Sequence, residues 1–230
     1  MFAQRFSPCF PSLPAGRPTA SRCRRLLWAA LLGSFAWAIG LAAVAEGSAV
    51  AQVEVRRDGE VYSVRASAQL AAEQRVVWET LTDYERLREF VPGVTRTRVL
   101  TRNGNQLSIE QSGVFTVLFL DLPVQLRLAV VHVPQTTVLA RLLPAAADAS
   151  EATLRNFSGR YTLSPSRSPQ RPGVRLDYDA EFELAAPLPA LVGTLFGVSA
   201  VRQTMREQFV AMLREIERRQ AALARAGDAG

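Results

Sequence analysis

Lysine is absent from the 230 residues, and the chain holds one His and two Cys. Without lysine there is no Schiff-base amine and no P-loop lysine. One His excludes a His-cluster metal site, and two Cys exclude a disulfide scaffold. Any nucleophile–histidine chemistry would have to use that one residue, His132. The composition therefore calls for no metal and no cofactor. Acidic residues are missing from the first 25 positions, which hold five Arg. The following stretch, Leu26–Ala45, carries no charge of either sign. A basic start, an apolar run and the small-residue site Ala49-Val50-Ala51 have the layout of a secretory signal. Ala43-Val44-Ala45 offers an earlier cut, and the acid-free, Arg-containing start also suits an organellar transit peptide. Left uncleaved, the apolar run would cover about 30 Å as a helix, enough for a membrane anchor.

Residues 1–51 are accordingly set apart as a targeting segment or anchor, and 52–230 as one domain exported to a periplasmic, lumenal or secreted location. The net charge of +6 then shrinks, because residues 52–230 hold 22 Arg against 20 acidic residues. That near-balance removes the main support for nucleic-acid binding. Both cysteines, Cys9 and Cys23, also belong to the leader.

What the domain does have is alternation. In Val174–Leu184, apolar residues at even positions oppose Arg175, Asp177, Asp179, Glu181 and Glu183, the pattern of a strand with one wet face. Asn156–Leu163, Val124–His132 and Gln106–Phe115 alternate likewise, and Val61–Ala68, Thr95–Thr101 and Thr137–Leu143 are weaker strands. Arg102-Asn103-Gly104-Asn105 reads as a hairpin turn. Two loop-like stretches, Pro144–Ser150 and Ser164–Gly173, separate strands rather than domains. Helical spacing appears twice. Ala72–Phe90 carries Val76, Val77, Leu81, Tyr84, Leu87 and Phe90 before the stop at Pro92-Gly93, with Thr82-Asp83 placed to cap a second short helix. Near the C-terminus, Val198, Val201, Met205, Phe209, Met212 and Ile216 form one stripe, while Arg202, Arg206, Glu207, Arg214, Glu215 and Arg218 form the polar side. A helix from Ser199 to Ala224 must lie on something apolar to be stable, and the sheet supplies that surface. The predicted class is α+β: a curved antiparallel sheet wrapped around a long C-terminal helix, with two short helices after the first strand.

Particular segments sharpen this. Val77–Leu87 (VWETLTDYERL), Phe90–Val94 (FVPGV), Phe157–Leu163 (FSGRYTL) and Val174–Leu184 followed by Pro187-Leu188-Pro189 resemble the START-like helix-grip superfamily, SRPBCC. Within it the chain is most similar to the polyketide cyclase/dehydrase and lipid-transport family, which includes coenzyme Q-binding START proteins. The resemblance spans Val61 to Arg219. It implies a hydrophobic cavity between sheet and helix that takes a lipid, quinone, sterol or polyketide-like guest, since burying apolar surface gains about 25 cal/mol per Å².

Strand parity and helical spacing select the wall: Gln111, Phe115, Leu126, Leu128, His132 and Phe157, then Tyr161, Tyr178, Phe182, Val201 and Met205. Phe115–Leu122 and Pro187–Val198 are nearly all apolar and suggest a cavity mouth at Phe119, Leu195 and Phe196, flexed at Gly193 and Gly197 and able to touch a membrane transiently. His132 has two readings: a general acid/base, or a hydrogen-bonded structural residue at a strand end before Pro134. No partner that would orient it is visible, so no catalytic residue is assigned. The functional expectation is a non-catalytic carrier of a hydrophobic small molecule. The alternatives are a cyclase or aromatase using His132, and a protein-interaction module with a collapsed cavity.

Overall fold

The computed structural model describes residues 51–117, 120–144, 154–166, 173–185 and 197–228. Residues 1–50, 145–153 and 167–172, and the expected mouth residues Phe119, Leu195 and Phe196, lie outside the described residues.

The strands are β1 (Gln52–Asp58), β2 (Val61–Leu70), β3 (Val94–Asn103), β4 (Gln106–Val117), β5 (Leu120–Val133), β6 (Thr137–Leu142), β7 (Leu154–Pro165) and β8 (Val174–Leu184). They form one antiparallel sheet in the order β1-β2-β8-β7-β6-β5-β4-β3. Six of the strands run as a meander from β3 to β8, and β8 then pairs with β2. Between β2 and β3 the chain forms α1 (Gln74–Leu81), a single 3-10 turn at Tyr84–Arg86 and α2 (Leu87–Phe90). This segment carries the chain from β2 to the far edge of the sheet. The last element is α3 (Gly197–Asp228), which at 1.5 Å per residue is about 48 Å long. This is a helix-grip fold, as the sequence pattern predicts, with one strand more than expected: β1 pairs along its whole length with β2.

The predicted parity holds. Leu107 and Ile109 of β4, Leu126, Leu128 and Val130 of β5, Val138 of β6, Leu163 of β7 and Leu176 of β8 are all buried. They share the main core with Phe209, Met212, Leu213 and Ile216 of α3. A second cluster forms where Val201, near the start of α3, meets Val55, Tyr62, Val64, Ala180 and Phe182. On the opposite face the acidic residues of β8 meet arginines: Arg65 with Asp179 at 3.6 Å, Arg155 with Glu183 at 2.9 Å and Arg175 with Asp177 at 2.7 Å. The first two pairs join neighbouring strands and support the register, while Arg175 and Asp177 lie two apart on β8 itself.

Three local features depart from expectation. The hairpin between β3 and β4 turns at Gly104-Asn105, one residue later than the Asn-Gly reading, with Gly104 at φ +56°. The β1–β2 hairpin repeats the device with Gly59 at +58°. A glycine at the first central position suits the twist of a two-residue hairpin. Asp83 makes no side-chain cap; its carboxylate instead accepts from Arg219 of α3 at 2.8 Å. Glu215 is not on the polar side of α3 but is buried, gripped by Arg218 at 2.6 Å and Arg219 at 2.7 Å. The helical wheel sorts residues by charge, whereas Asp83 pulls Arg219, and Glu215 with it, into the contact between α3 and the α1–α2 segment.

Candidate functional site

A strongly bent sheet and a straight helix cannot touch everywhere. Between the concave face and α3 they leave a cavity of about 250 Å³. Its sheet wall includes Gln111, Phe115, Leu126, Leu128 and Phe157, together with Tyr161, Tyr178 and Phe182. Met205 adds the helix side. Nine of the expected wall residues are thus brought together.

Two are not. Val201 is fully buried in the second cluster, because the start of α3 rests on β1 and β2 rather than over the hollow. His132 lies on the expected face of β5 but outside the cavity wall. The α1–α2 segment covers that end of the sheet, and His132 meets it: Trp78 packs edge-on at 5.3 Å and the Tyr84 hydroxyl lies 2.6 Å from Nε2. Burial, and then the charge of Arg102, lowers the His132 pKa below its ordinary 6.5. Burial raises that of Tyr84 above its ordinary range. The imidazole is therefore largely neutral at pH 7, and the tautomer it adopts sets which of the Tyr84 hydroxyl and Nε2 donates in the hydrogen bond between them.

Leu81, Tyr84 and Leu87, which the sequence pattern gives only as a stripe at helical spacing, also line the wall. Sequence reasoning also missed Val91 and Val94 as wall residues, and Gln208. The helical spacing of Leu81, Tyr84 and Leu87 was the available signal, since that stripe had to face the same hollow as the strands.

The two ends of the cavity differ. At one, Phe115 of β4 meets Phe182 of β8 edge-on at 6.2 Å. These strands are not neighbours in the sheet, so the contact shows how far the β4–β5 hairpin curls. At the other, Tyr161 and Tyr178 sit opposite each other across β7 and β8 and stack at 4.4 Å with 26° between their planes. Burial pushes the Tyr178 phenol up to about 12. Tyr161 is pushed well above the ordinary tyrosine range by burial first, then by the Tyr178 and Tyr84 phenols beside it. All three hydroxyls are therefore neutral at any physiological pH. No charged side chain lines the cavity among the described residues.

The rim is tied by side chains of α3. Thr204 Oγ1 donates to the Thr116 carbonyl at 2.7 Å, and Gln208 Nε2 donates to the Pro92 carbonyl at 3.1 Å. Beneath them Gly93, at φ +80°, passes so close to Gly113 that a Cβ on Gly113 would lie 2.1 Å from the Gly93 oxygen. This crossing admits glycine alone.

The fold and the hollow define the class: a START-like helix-grip protein with an internal apolar cavity. The description "Polyketide cyclase / dehydrase and lipid transport" matches residues 70–210, and the chain belongs to that family. No curated protein matches the sequence. Among solved structures, the Zhui aromatase/cyclase from Streptomyces sp. R1128 is similar, with a TM-score of 0.54 and 16% identity over 69% of this chain and 95% of that one. A STAR-related lipid transfer protein from Xanthomonas axonopodis is similar at a TM-score of 0.54 and 15% identity, over 72% of this chain and 98% of that one. The di-domain ARO/CYC BexL from the BE-7585A biosynthetic pathway has a TM-score of 0.51 and 12% identity over 71% of this chain. The present chain spans about half of BexL's length, 51%. At these identities the likeness is one of fold.

Proposed function

We propose that this protein is a non-catalytic carrier of a lipophilic small molecule (a lipid, quinone or polyketide-like ring system) held between the sheet and α3. The observation that carries the reading is the cavity: about 250 Å³ of space walled by apolar and aromatic side chains. An apolar hollow of roughly 150 Å³ accepts benzene, so this one has room for a fused-ring guest or the end of a longer chain. The same hollow argues against an interaction module with a collapsed interior. Nothing in the wall among the described residues is a carboxylate, imidazole or thiol, which favours carriage over chemistry. The basic-then-apolar N-terminal sequence supports a carrier exported across a membrane, or anchored to one, where loading would include transient membrane contact.

A cyclase remains the second reading because one observation favours it. The His132–Tyr84 pair abuts the cavity through Tyr84, which could pass a proton to a guest. Mass spectrometry of lipids extracted from the purified protein tests carriage directly: one lipophile should recover in near-stoichiometric amount, unaltered, from both wild type and His132→Ala. Recovery of a cyclised product from wild type and its uncyclised precursor from His132→Ala would replace the carrier with the enzyme.

A further inference from the structure

The cavity has a polar pole. Its only polar wall groups, among the described residues, are Tyr84, Tyr161, Tyr178, Gln111 and Gln208. Two of these are committed: Tyr84 to His132 and Gln208 to the Pro92 carbonyl. Among the described residues Tyr161 and Tyr178 have no hydrogen-bond partner, although a buried hydroxyl left unpaired is costly. Neither hydroxyl is sealed in the packing, because the one sealed, unpartnered side-chain oxygen or nitrogen among the described residues is Thr97 Oγ1. They therefore open onto the hollow that the two rings line. The chain has four tyrosines, and three stand at this end of one small apolar cavity.

The rest of the wall sets what cannot enter. An anionic headgroup placed here would meet no cation among the described wall residues, and desolvating an unpaired carboxylate costs several kcal/mol. A neutral oxygen is a different matter: a carbonyl accepts hydrogen bonds, and phenols that remain protonated keep an O–H to supply them.

We infer that the guest is an uncharged lipophile bearing a carbonyl-type oxygen, and that the adjoining hydroxyls of Tyr161 and Tyr178 receive that oxygen while Leu126, Leu128, Phe157 and Met205 hold the apolar body. The two tyrosines select the ligand rather than fill the core. This rests on the carrier reading and narrows it, excluding fatty acids and phosphate headgroups from the buried position.

Three probes of one size test it by titration calorimetry on the full chain at pH 8: 2-acetylnaphthalene, 2-ethylnaphthalene and 2-naphthoate. The ketone should bind about five-fold more tightly than the hydrocarbon, the gain of one net hydrogen bond, and the naphthoate at least fifty-fold more weakly than the ketone. In the Tyr161→Phe/Tyr178→Phe variant the ketone should fall to the level of the hydrocarbon. Unchanged affinity for 2-ethylnaphthalene would show that the cavity of that variant is intact. Naphthoate bound as tightly as the ketone by wild type overturns the inference with no variant needed, as does a ketone preference that survives the double substitution. Wild type binding none of the three overturns the carrier reading itself, and the inference with it.

Discussion

At the scale of single residues, His132 is where the sequence and the fold part company. Alternation along β5 puts it on the concave face, and it lies there. Alternation says nothing about what covers each position. The α1–α2 segment ends the cavity one residue pair short, so the imidazole packs on Trp78 and Tyr84 instead of on a guest. That contact makes a pH prediction. The folded protein holds His132 below 6.5, so between that value and 6.5 the unfolded chain binds a proton the folded chain refuses. The stability gained by keeping the ring neutral is complete above 6.5 and is lost as pH falls below it. Urea melts at pH 7.5 and 5.5 should show this loss, at most about 1.4 kcal/mol per pH unit. His132→Gln should remove that part of the slope, and an unchanged slope would place the proton elsewhere. Trp78 is the one tryptophan of residues 52–230, so in a protein of those residues its emission follows the same contact.

At the scale of elements, the periodicities were enough to lay out seven strands, the broken helical segment and α3. They showed which face each strand turns inward, because burial imposes a period of two on a half-buried strand and 3.6 on a helix. β1 escaped because its alternation is only Val53 and Val55 before Arg56-Arg57, and its pairing with β2 is a tertiary fact. The polar clamp between α3 and the α1–α2 segment was equally hidden. Glu215 bonds to Arg218 and Arg219, Arg219 reaches Asp83, and Gln220 Oε1 accepts the backbone N–H of Glu73 at the entry to α1. Charges at a spacing of three or four look like ordinary surface pairs until a third partner, 136 residues away in the case of Asp83, brings one inside. The arginine bonds hold the Glu215 carboxyl down at about 2, against an ordinary 4.5. Its contribution is therefore complete above about 4.5 and disappears as pH falls towards 2. Glu215→Gln should cost about 1.5–3 kcal/mol at pH 7, the range for hydrogen bonds to a charged group. Its melting curve should converge on that of wild type below pH 3. A surface pair would give less than about 1 kcal/mol, and that result would return Glu215 to the exposed side.

At the scale of the whole molecule, the question is why the interior is left unfilled. Scaling by about 24 cal/mol per Å³ of empty cavity, a hollow of 250 Å³ costs up to about 6 kcal/mol, and less to the extent that water enters from the rim. A domain of this size has a net stability of only about 5–15 kcal/mol. The space is also simple to reduce: Ala140 of β6 lines it, and a larger apolar residue there would take up part of it. Overpacking penalties apply to full cores. Here Ala140→Leu fills vacant volume, and each added methylene buries about 0.8 kcal/mol of apolar surface. The variant should therefore melt at the same temperature as wild type or higher while losing at least ten-fold in affinity for 2-acetylnaphthalene. Those two results in opposite directions separate a binding cavity from a packing defect. If Ala140→Leu instead melts several degrees lower with its affinity intact, the guest sits elsewhere and the hollow closes in solution. The polar clamp at the far end of α3 makes the first outcome the expected one: Asp83, Glu215 and Arg219 tie that part of the helix to the α1–α2 segment through contacts that do not involve the cavity Met205 lines.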